Sequence, residues 1–213
     1  MLVSEIFLSI QGESTYAGLP FMFVRLAGCT LSCGWCDTPY ARGGEGAAVM
    51  TVDEIAAALA SSSCRNAEIT GGEPLMQQEE TKDLARRLLD MGYRVLLETN
   101  GSASLAGLDE RLVKIVDVKC PTSGHAGSFL VDNLNYISPE DEIKFVIGDR
   151  SDYEFAKRFM EELLQGRTGK VLFAPVKPDL DPKELADWIL KDGLSVRLQV
   201  QIHKYIWGEE RGR

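Results

Sequence analysis

Cys29, Cys33 and Cys36 lie within eight residues of one another, at the spacing C-x3-C-x2-C. A loop of this kind can bring three thiolates to one point, and the centre that thiolates hold in this way is an iron–sulfur cluster. A 4Fe-4S cube held by three cysteines keeps one iron without a protein ligand, and chemistry can take place at that open iron. Zinc is the other reading, but a structural zinc site takes four Cys or His ligands, usually in paired knuckles. Here Cys64 and Cys120 stand alone, and the histidines are His125 and His203. No second knuckle completes a zinc site, so Cys64 and Cys120 read as small buried side chains.

Other residues carry chemistry at the ends of apolar runs. Thr70-Gly71-Gly72-Glu73-Pro74 follows a short strand pattern. Glycines without side chains let backbone groups approach a ligand, and a carboxylate or carbonyl can accept from an ammonium. Arg25 sits in an otherwise apolar strand and needs an anion there, either a substrate carboxylate gripped in bidentate fashion or a carboxylate of the protein. Glu98-Thr99-Asn100, Asp117-Val118-Lys119 and Ala174-Pro175-Val176 each end a strand pattern. Parallel α/β folds bind ligands at the C-terminal ends of their strands. For Asp117 and Lys119 the alternative is an ion pair between neighbouring strands. His203 is either a ligand to substrate or a core histidine.

These residues must be positioned by alternating strands and helices. Strand patterns cover Leu2–Ile10, 21–27, 67–70, 94–98, Val113–Val118, 143–147, 171–174 and 196–202, and helical patterns cover 51–61, 79–91, 151–164 and 182–190. Thr51-Val52-Asp53-Glu54 is a capping box. Leu84, Leu88 and Met91 recur at helical spacing, with Gly92 as a stop. Strand then helix, repeated, implies crossovers and a mostly parallel sheet. A full eight-fold barrel takes about 250 residues, so the expectation is α/β: a shortened, incomplete, (β/α)6-like barrel. The Gly-, Ser- and Pro-rich stretch 120–141 reads as a long loop near the site. No linker composition divides the chain, so residues 1–213 read as one domain.

Composition narrows the function classes. An apolar content of 45% with 26% charged residues is ordinary for a globular protein in water. The formal charge of −9 argues against a general nucleic-acid surface. No stretch approaches the roughly 18 apolar residues of a membrane helix, and the N-terminus lacks the basic region of a signal peptide. Five cysteines, three of them clustered, do not read as a secreted disulfide framework. The expected setting is a reducing cytoplasm.

C-x3-C-x2-C with Trp35 before the last cysteine, followed one strand later by Gly71-Gly72-Glu73-Pro74, resembles the radical S-adenosylmethionine (SAM) superfamily. Ser9-Ile10-Gln11-Gly12-Glu13-Ser14, Arg25, Cys36-Asp37-Thr38 and His203-Lys204-Tyr205 narrow the resemblance to the 7-carboxy-7-deazaguanine synthase family, over most of the chain. The resemblance implies a shortened α/β radical SAM barrel, a 4Fe-4S cluster on Cys29, Cys33 and Cys36, SAM, and Mg²⁺ on the Thr38 hydroxyl. For Thr38 the plain alternative is a turn hydroxyl before Pro39. The resemblance implies pterin contacts at Ile10, Gln11, Gly12, Glu13, Arg25, Thr70 and His203, although Glu13 also reads as a solvated strand-end carboxylate. It implies SAM contacts at Gly72, Glu73, Glu98, Asn100, Asp117, Val118, Lys119, Ala174, Pro175 and Val176. The implied reaction converts 6-carboxy-tetrahydropterin to 7-carboxy-7-deazaguanine with loss of ammonia, in a homodimer reduced by flavodoxin or ferredoxin. No side chain is assigned as catalytic, since the radical would come from cluster and SAM. Two further readings share the cysteine loop: a glycyl-radical activase acting on a protein, and a non-enzymatic electron carrier. Family members often end in a proline-containing tail that touches substrate, whereas this chain ends Gly-Glu-Glu-Arg-Gly-Arg.

Overall fold

The computed structural model describes residues 1–165, 169–208 and 210–212. Within them, β1 (Leu2–Ile10) runs antiparallel to β2 (Pro20–Leu26), and β3 (Ala48–Val49) pairs antiparallel with the other edge of β1. Helix α1 (Val52–Ala60) leads to β4 (Asn66–Gly71), and α2 (Gln78–Asp90) leads to β5 (Arg94–Thr99) and β6 (Val113–Val118). β7 (Glu142–Ile147), α3 (Arg150–Phe159), β8 (Lys170–Pro175), α4 (Pro182–Asp192), β9 (Arg197–Leu198) and α5 (Ile202–Trp207) follow. The described residues form one nine-stranded sheet in the order β3-β1-β2-β4-β5-β6-β7-β8-β9, parallel from β2 to β9 and not closed. This is the incomplete barrel expected from the strand count.

A parallel sheet needs both faces covered, and successive residues of a strand point to opposite faces. Val24, Ile69, Leu97, Val116, Phe145 and Phe173 pack outward beneath Ile55, Leu59, Leu84, Leu88 and Tyr153 of the helices. On the inner face, Phe21, Phe23, Leu96, Val113 and Ile115 form a smaller apolar layer with Phe7 and Tyr16. Two residues further along the same strands, on the same inner face, stand Arg25, Glu98 and Asp117. The chain therefore builds an apolar floor with a charged layer directly above it.

The capping box forms: Glu54 N donates to Thr51 Oγ1 at 3.2 Å, and Thr51 N donates to Glu54 Oε2 at 2.8 Å. Three expectations change. The 120–141 stretch holds two 3-10 turns, Pro121–Ser123 and Val131–Tyr136. Buried Asn133 braces the second by donating to Gly101 O and Ala103 O and accepting from Leu105 N. The helix expected over 151–164 ends as α3 at Phe159 and continues as a π-helical turn, Met160–Leu164. The strand expected over 196–202 is reduced to Arg197–Leu198, and His203 lies on α5 instead. The reason is local: the side chains of Gln199 and Gln201 both turn to Glu13, and Ile202 N donates to Gly12 O at 3.1 Å, drawing the chain off the sheet edge.

Phe145 is fully buried, edge-on to Phe159 and Phe173 at 5.4 and 5.7 Å. Phe145→Ala is expected to cost about 3–5 kcal/mol, read as a lower urea midpoint with an unchanged slope. A smaller loss would mean that this junction of β7, β8 and α3 collapses around the cavity.

Candidate active site

The cysteine loop leaves β2 at Gly28, whose φ of 101° suits glycine. It is stitched to the segment after β4: Gly72 N donates to Leu26 O at 3.0 Å and Glu73 N to Gly28 O at 2.7 Å. A Cβ on Gly72 would lie 2.2 Å from Gly28 O, and one on Gly71 would lie 2.2 Å from Leu26 O. These glycines are thus required first by the approach of two backbone segments. The Glu73 carboxylate is fully buried and accepts from Leu75 N, Thr99 Oγ1 and Asn100 N at 2.9, 2.8 and 2.7 Å. Burial still holds this carboxyl above its ordinary range. Glu73 therefore braces the turn from within, and its side chain does not reach the ligand space assigned to it from sequence.

The far side of the loop rests on residues 122–125. Ser32 N donates to His125 Nε2 at 3.0 Å, Gly34 N to Ser123 O at 3.2 Å, and Trp35 Nε1 to Thr122 Oγ1 at 3.1 Å. Thr122 is in turn held by buried Asp152, which accepts from Thr122 N at 2.9 Å. Burial pushes the Cys29 and Cys33 thiols up, and the charge of Cys36 adds to the effect at both. A cationic centre among the three sulfurs reverses that balance, because metal-bound thiols lose their protons. Among the described residues, no three His, Cys, Asp or Glu side chains converge as ligands of a single ion. Cys29, Cys33 and Cys36 line one cavity, and thiolates are the ligands an iron–sulfur cluster takes, so the donor set fits a cluster.

One cavity opens above the charged layer, bounded by this loop and the C-terminal ends of the parallel strands. Buried in its wall is Lys144 on β7, whose ammonium contacts Glu13 at 3.0 Å, Asp117 at 3.9 Å, and Glu98. Burial opposes the Lys144 charge, but the three carboxylates outweigh it and raise its pKa well above the usual lysine range. Burial and Asp37 push the Glu13 carboxyl up, while Lys144 and Gln201 outweigh them and lower it. Glu13 also accepts from Gln199 Nε2 at 3.0 Å and Gln201 Nε2 at 2.7 Å, and the same Gln201 nitrogen reaches Asp37 at 3.2 Å. Glu13 is therefore a fixed wall of the cavity, unlike the solvated residue that its strand-end position allows. Thr70 Oγ1 donates to Glu98 at 3.1 Å. Lys119 pairs with Asp117 at 2.8 Å within one strand end, so the pair that joins neighbouring strands is Asp117 with Lys144 instead; Lys119 also lies 5.1 Å from the centroid of the Trp35 ring. Asp117 Oδ1 is buried with no hydrogen-bond partner among the described residues. An orphaned acceptor on a cavity wall fits a ligand that brings a hydroxyl or ammonium to it.

Arg25 finds the protein partner that the alternative reading allows: its Nε donates to Glu5 at 2.8 Å, and Tyr40 Oη donates to the same oxygen at 2.8 Å. Its side chain still lines the cavity. The Thr38 hydroxyl makes no cap bond to the 3-10 turn Pro39–Ala41, so that turn does not consume it; it stands 4.0 Å from Cys36 Sγ. His203 packs on Gly12, where a Cβ would fall 1.9 Å from Nδ1.

The cavity thus gathers Ile10, Gln11, Gly12, Glu13, Arg25, the three cysteines, Thr38, Thr70, Gly72, Glu98, Asn100, Asp117, Lys119, Ala174, Pro175, Val176 and His203. Glu73 and Val118 are the two assigned residues left out. Strand alternation turns Val118 outward into the core between two inward positions. Sequence reasoning missed Glu5, Tyr40, Glu68, Lys144 and Gln201. A charged residue interrupting a β-run, as in Asn66–Gly71 and Glu142–Ile147, is the signal that would have found Glu68 and Lys144. The tail also reaches the cavity through Gly208 and 210–212, with the Arg211 guanidinium 3.6 Å from the Tyr40 ring centroid. Glu209 and Arg213 lie outside the described residues.

Gly72→Ala is expected to push the cysteine loop off β4. Iron bound per chain after anaerobic reconstitution should fall severalfold while far-ultraviolet dichroism is retained. Wild-type iron content would show that the backbone approach is dispensable.

A family model described as the Radical SAM superfamily matches residues 24–191. The 7-carboxy-7-deazaguanine synthase of Koribacter versatilis is 46% identical over 224 residues, spanning 99% of this chain and 98% of that protein. The protein of the same name from Chlorobaculum tepidum is 42% identical, spanning 98% and 94%. In fold, the chain is similar to the crystal structure of QueE from Escherichia coli, with a TM-score of 0.79 at 21% identity over 94% of this chain and 93% of that one. With its cysteine loop, its incomplete barrel and full-length relatives of this identity, the chain belongs to the radical SAM superfamily and, within it, to the 7-carboxy-7-deazaguanine synthase family.

Proposed function

We propose that this chain converts 6-carboxy-5,6,7,8-tetrahydropterin to 7-carboxy-7-deazaguanine with loss of ammonia, a step of queuosine and 7-deazapurine biosynthesis. The observation that carries the reading is that the cysteine loop and a layer of buried charges and amides face one cavity. An electron carrier has no use for such a cavity. A protein substrate does not call for Gln11, Arg25 and His203 to converge, whereas a small carboxylated heterocycle does.

Membership of the superfamily brings a 4Fe-4S cluster and SAM, which together supply hydrogen-abstracting radical chemistry. Cys29, Cys33 and Cys36 would hold the cluster. Asp117, with its unsatisfied oxygen, and the strand-end segments at Gly72, Glu98, Asn100, Lys119 and Ala174-Pro175-Val176 would bind SAM. Arg25 offers a guanidinium to the substrate carboxylate, oriented by Glu5 behind it. Gln11, Glu13, Thr70 and His203 present donors and acceptors to the polar edge of the pterin. Thr38 would contribute one oxygen to Mg²⁺, a hard cation that takes oxygen ligands and readily bridges protein to a substrate carboxylate. The tail and α5 cover the cavity and limit water at the reacting atoms.

Among the described residues no helix is long and apolar enough to cross a membrane. We read the enzyme as one domain working in the cytoplasm as a homodimer, reduced by a flavodoxin- or ferredoxin-type protein.

After anaerobic reconstitution, the protein with SAM, dithionite and 6-carboxy-tetrahydropterin should yield 7-carboxy-7-deazaguanine by mass spectrometry. No product from protein with an intact cluster would overturn the assignment. Thr38→Ala should weaken the Mg²⁺ response of turnover by roughly tenfold or more; an unchanged Mg²⁺ titration would remove Thr38 from the metal site.

A further inference from the structure

Glu68 differs from the other carboxylates of the inner layer. It stands level with Phe23 of β2 and Leu96 of β5, where the apolar floor begins. It is 3% exposed, and among the described residues its hydrogen-bond donor is the Gln11 amide. The charged groups facing it are Glu13 from the segment after β1, Glu98 from β5 and Lys144 from β7. Arg25, on the neighbouring strand, is engaged by Glu5. Lys144 is already shared among Glu13, Glu98 and Asp117, and Lys119 serves Asp117. Among the described residues, four carboxylates (Glu13, Glu68, Glu98 and Asp117) thus meet two ammonium groups at this level. Full ionisation would leave two negative charges without a cation in a desolvated place, where charge is costly. Glu68 is the member that contacts no ammonium. Burial first, then the charges of Glu98 and Glu13, hold its carboxyl well above the usual range against the pull of Lys144 and Gln11.

The amide that Glu68 holds has a second tie. Gln11 Oε1 accepts from Glu13 N at 3.0 Å, while its nitrogen donates to Glu68. The amide is therefore clamped at both ends and can face only one way. Both Gln11 and Glu13 line the cavity.

We propose that Glu68 is a positioning residue that works as the neutral acid, fixing the orientation of the Gln11 amide and, through it, the seat of Glu13 in the pterin site. The inference rests on the pterin reading above. Loss of the Glu68 proton places another negative charge beside Glu13 and Glu98 and disturbs the clamp, so substrate binding weakens toward alkaline pH.

The test compares wild type, Glu68→Ala and Glu68→Gln as reconstituted enzymes without reductant. Equilibrium binding of 6-carboxy-tetrahydropterin is measured across pH, and infrared difference spectra are recorded at neutral pH. Glu68→Ala should weaken binding by about tenfold or more, as expected when a buried amide loses its partner. Glu68→Gln, which keeps the shape and carries no charge, should recover most of that loss and lack the alkaline weakening of wild type. The wild-type spectrum should contain the carbonyl stretch of a protonated acid that is missing in Glu68→Gln. Absence of that band, or binding by Glu68→Gln as weak as by Glu68→Ala, would overturn the proposal. Failure of wild type to bind the pterin would overturn the substrate reading instead, and the infrared band would still decide whether Glu68 carries a proton.

Discussion

A buried ammonium holds this site together. Lys144 draws Glu13, Glu98 and Asp117 toward one nitrogen from three separate parts of the chain: the segment after β1, β5 and β6. Taking those charges out of water is expensive, and breaking such a buried pairing typically costs about 3–5 kcal/mol. The arrangement is tolerable because each carboxylate has further donors: Thr70 for Glu98, Lys119 for Asp117, and the amides of Gln199 and Gln201 for Glu13. In return the polar wall has very little freedom to rearrange. A site that must orient a small heterocycle benefits from groups that are fixed before substrate arrives.

The cysteine loop is held by a different physical means. Its entry depends on backbone approach, with Gly28 beneath Gly72 and the Glu73 carboxylate tying the turn to Thr99 and Asn100. Its far side depends on three donors, from Ser32, Gly34 and Trp35, to residues 122–125. The loop is therefore gripped from β4 on one side and from the segment after β6 on the other. Thr38 and Arg25 sit at the two ends of the same loop. A shift of either grip moves the three cysteines together with Thr38 and Arg25.

Much of this was legible from residue type and spacing. The cysteines, the Gly71-Gly72 step and the strand ends at Glu98, Asp117 and Ala174 reached the cavity because strand C-termini in a parallel sheet share one rim. Glu73 and Val118 did not, and both departures have simple causes. A motif names a segment and not the direction of each side chain: Glu73 turns back onto its own turn, and alternation sends Val118 outward. Lys144 and Glu68 escaped notice because each looks like an isolated charge in an otherwise apolar run. Their meaning lies in lateral register, where Asp117 stands beside Lys144 and Glu68 stands between Phe23 and Leu96, and register between strands is not written in either strand alone. The last strand failed for a related reason. Its pattern is β-like from Val196 onward, but the hydrogen-bonding demands of Glu13, far away in sequence, outweigh a propensity that is always weak at a sheet edge.

That last failure shows how the open barrel is completed. β9 offers Arg197 and Leu198 to the sheet and Gln199 N adds a bond to Phe173 O at 2.9 Å, a short ladder to fasten the C-terminal segment. What fastens it is the site itself: Gln199 to Ser14 and Glu13, Gln201 to Glu13 and Asp37, Lys204 to Asp37 at 3.6 Å, and His203 against Gly12. The partners of this segment are the residues after β1 and the residue next to Cys36. Because one polar segment bridges the Glu13 wall of the cavity and the cysteine loop, a change in the charge of Glu13 or Asp37 acts on the cover as well as on the wall. The closing element of the barrel is in this sense coupled to the cavity wall, and its position depends on carboxylates that the segment after β1 and the cysteine loop supply.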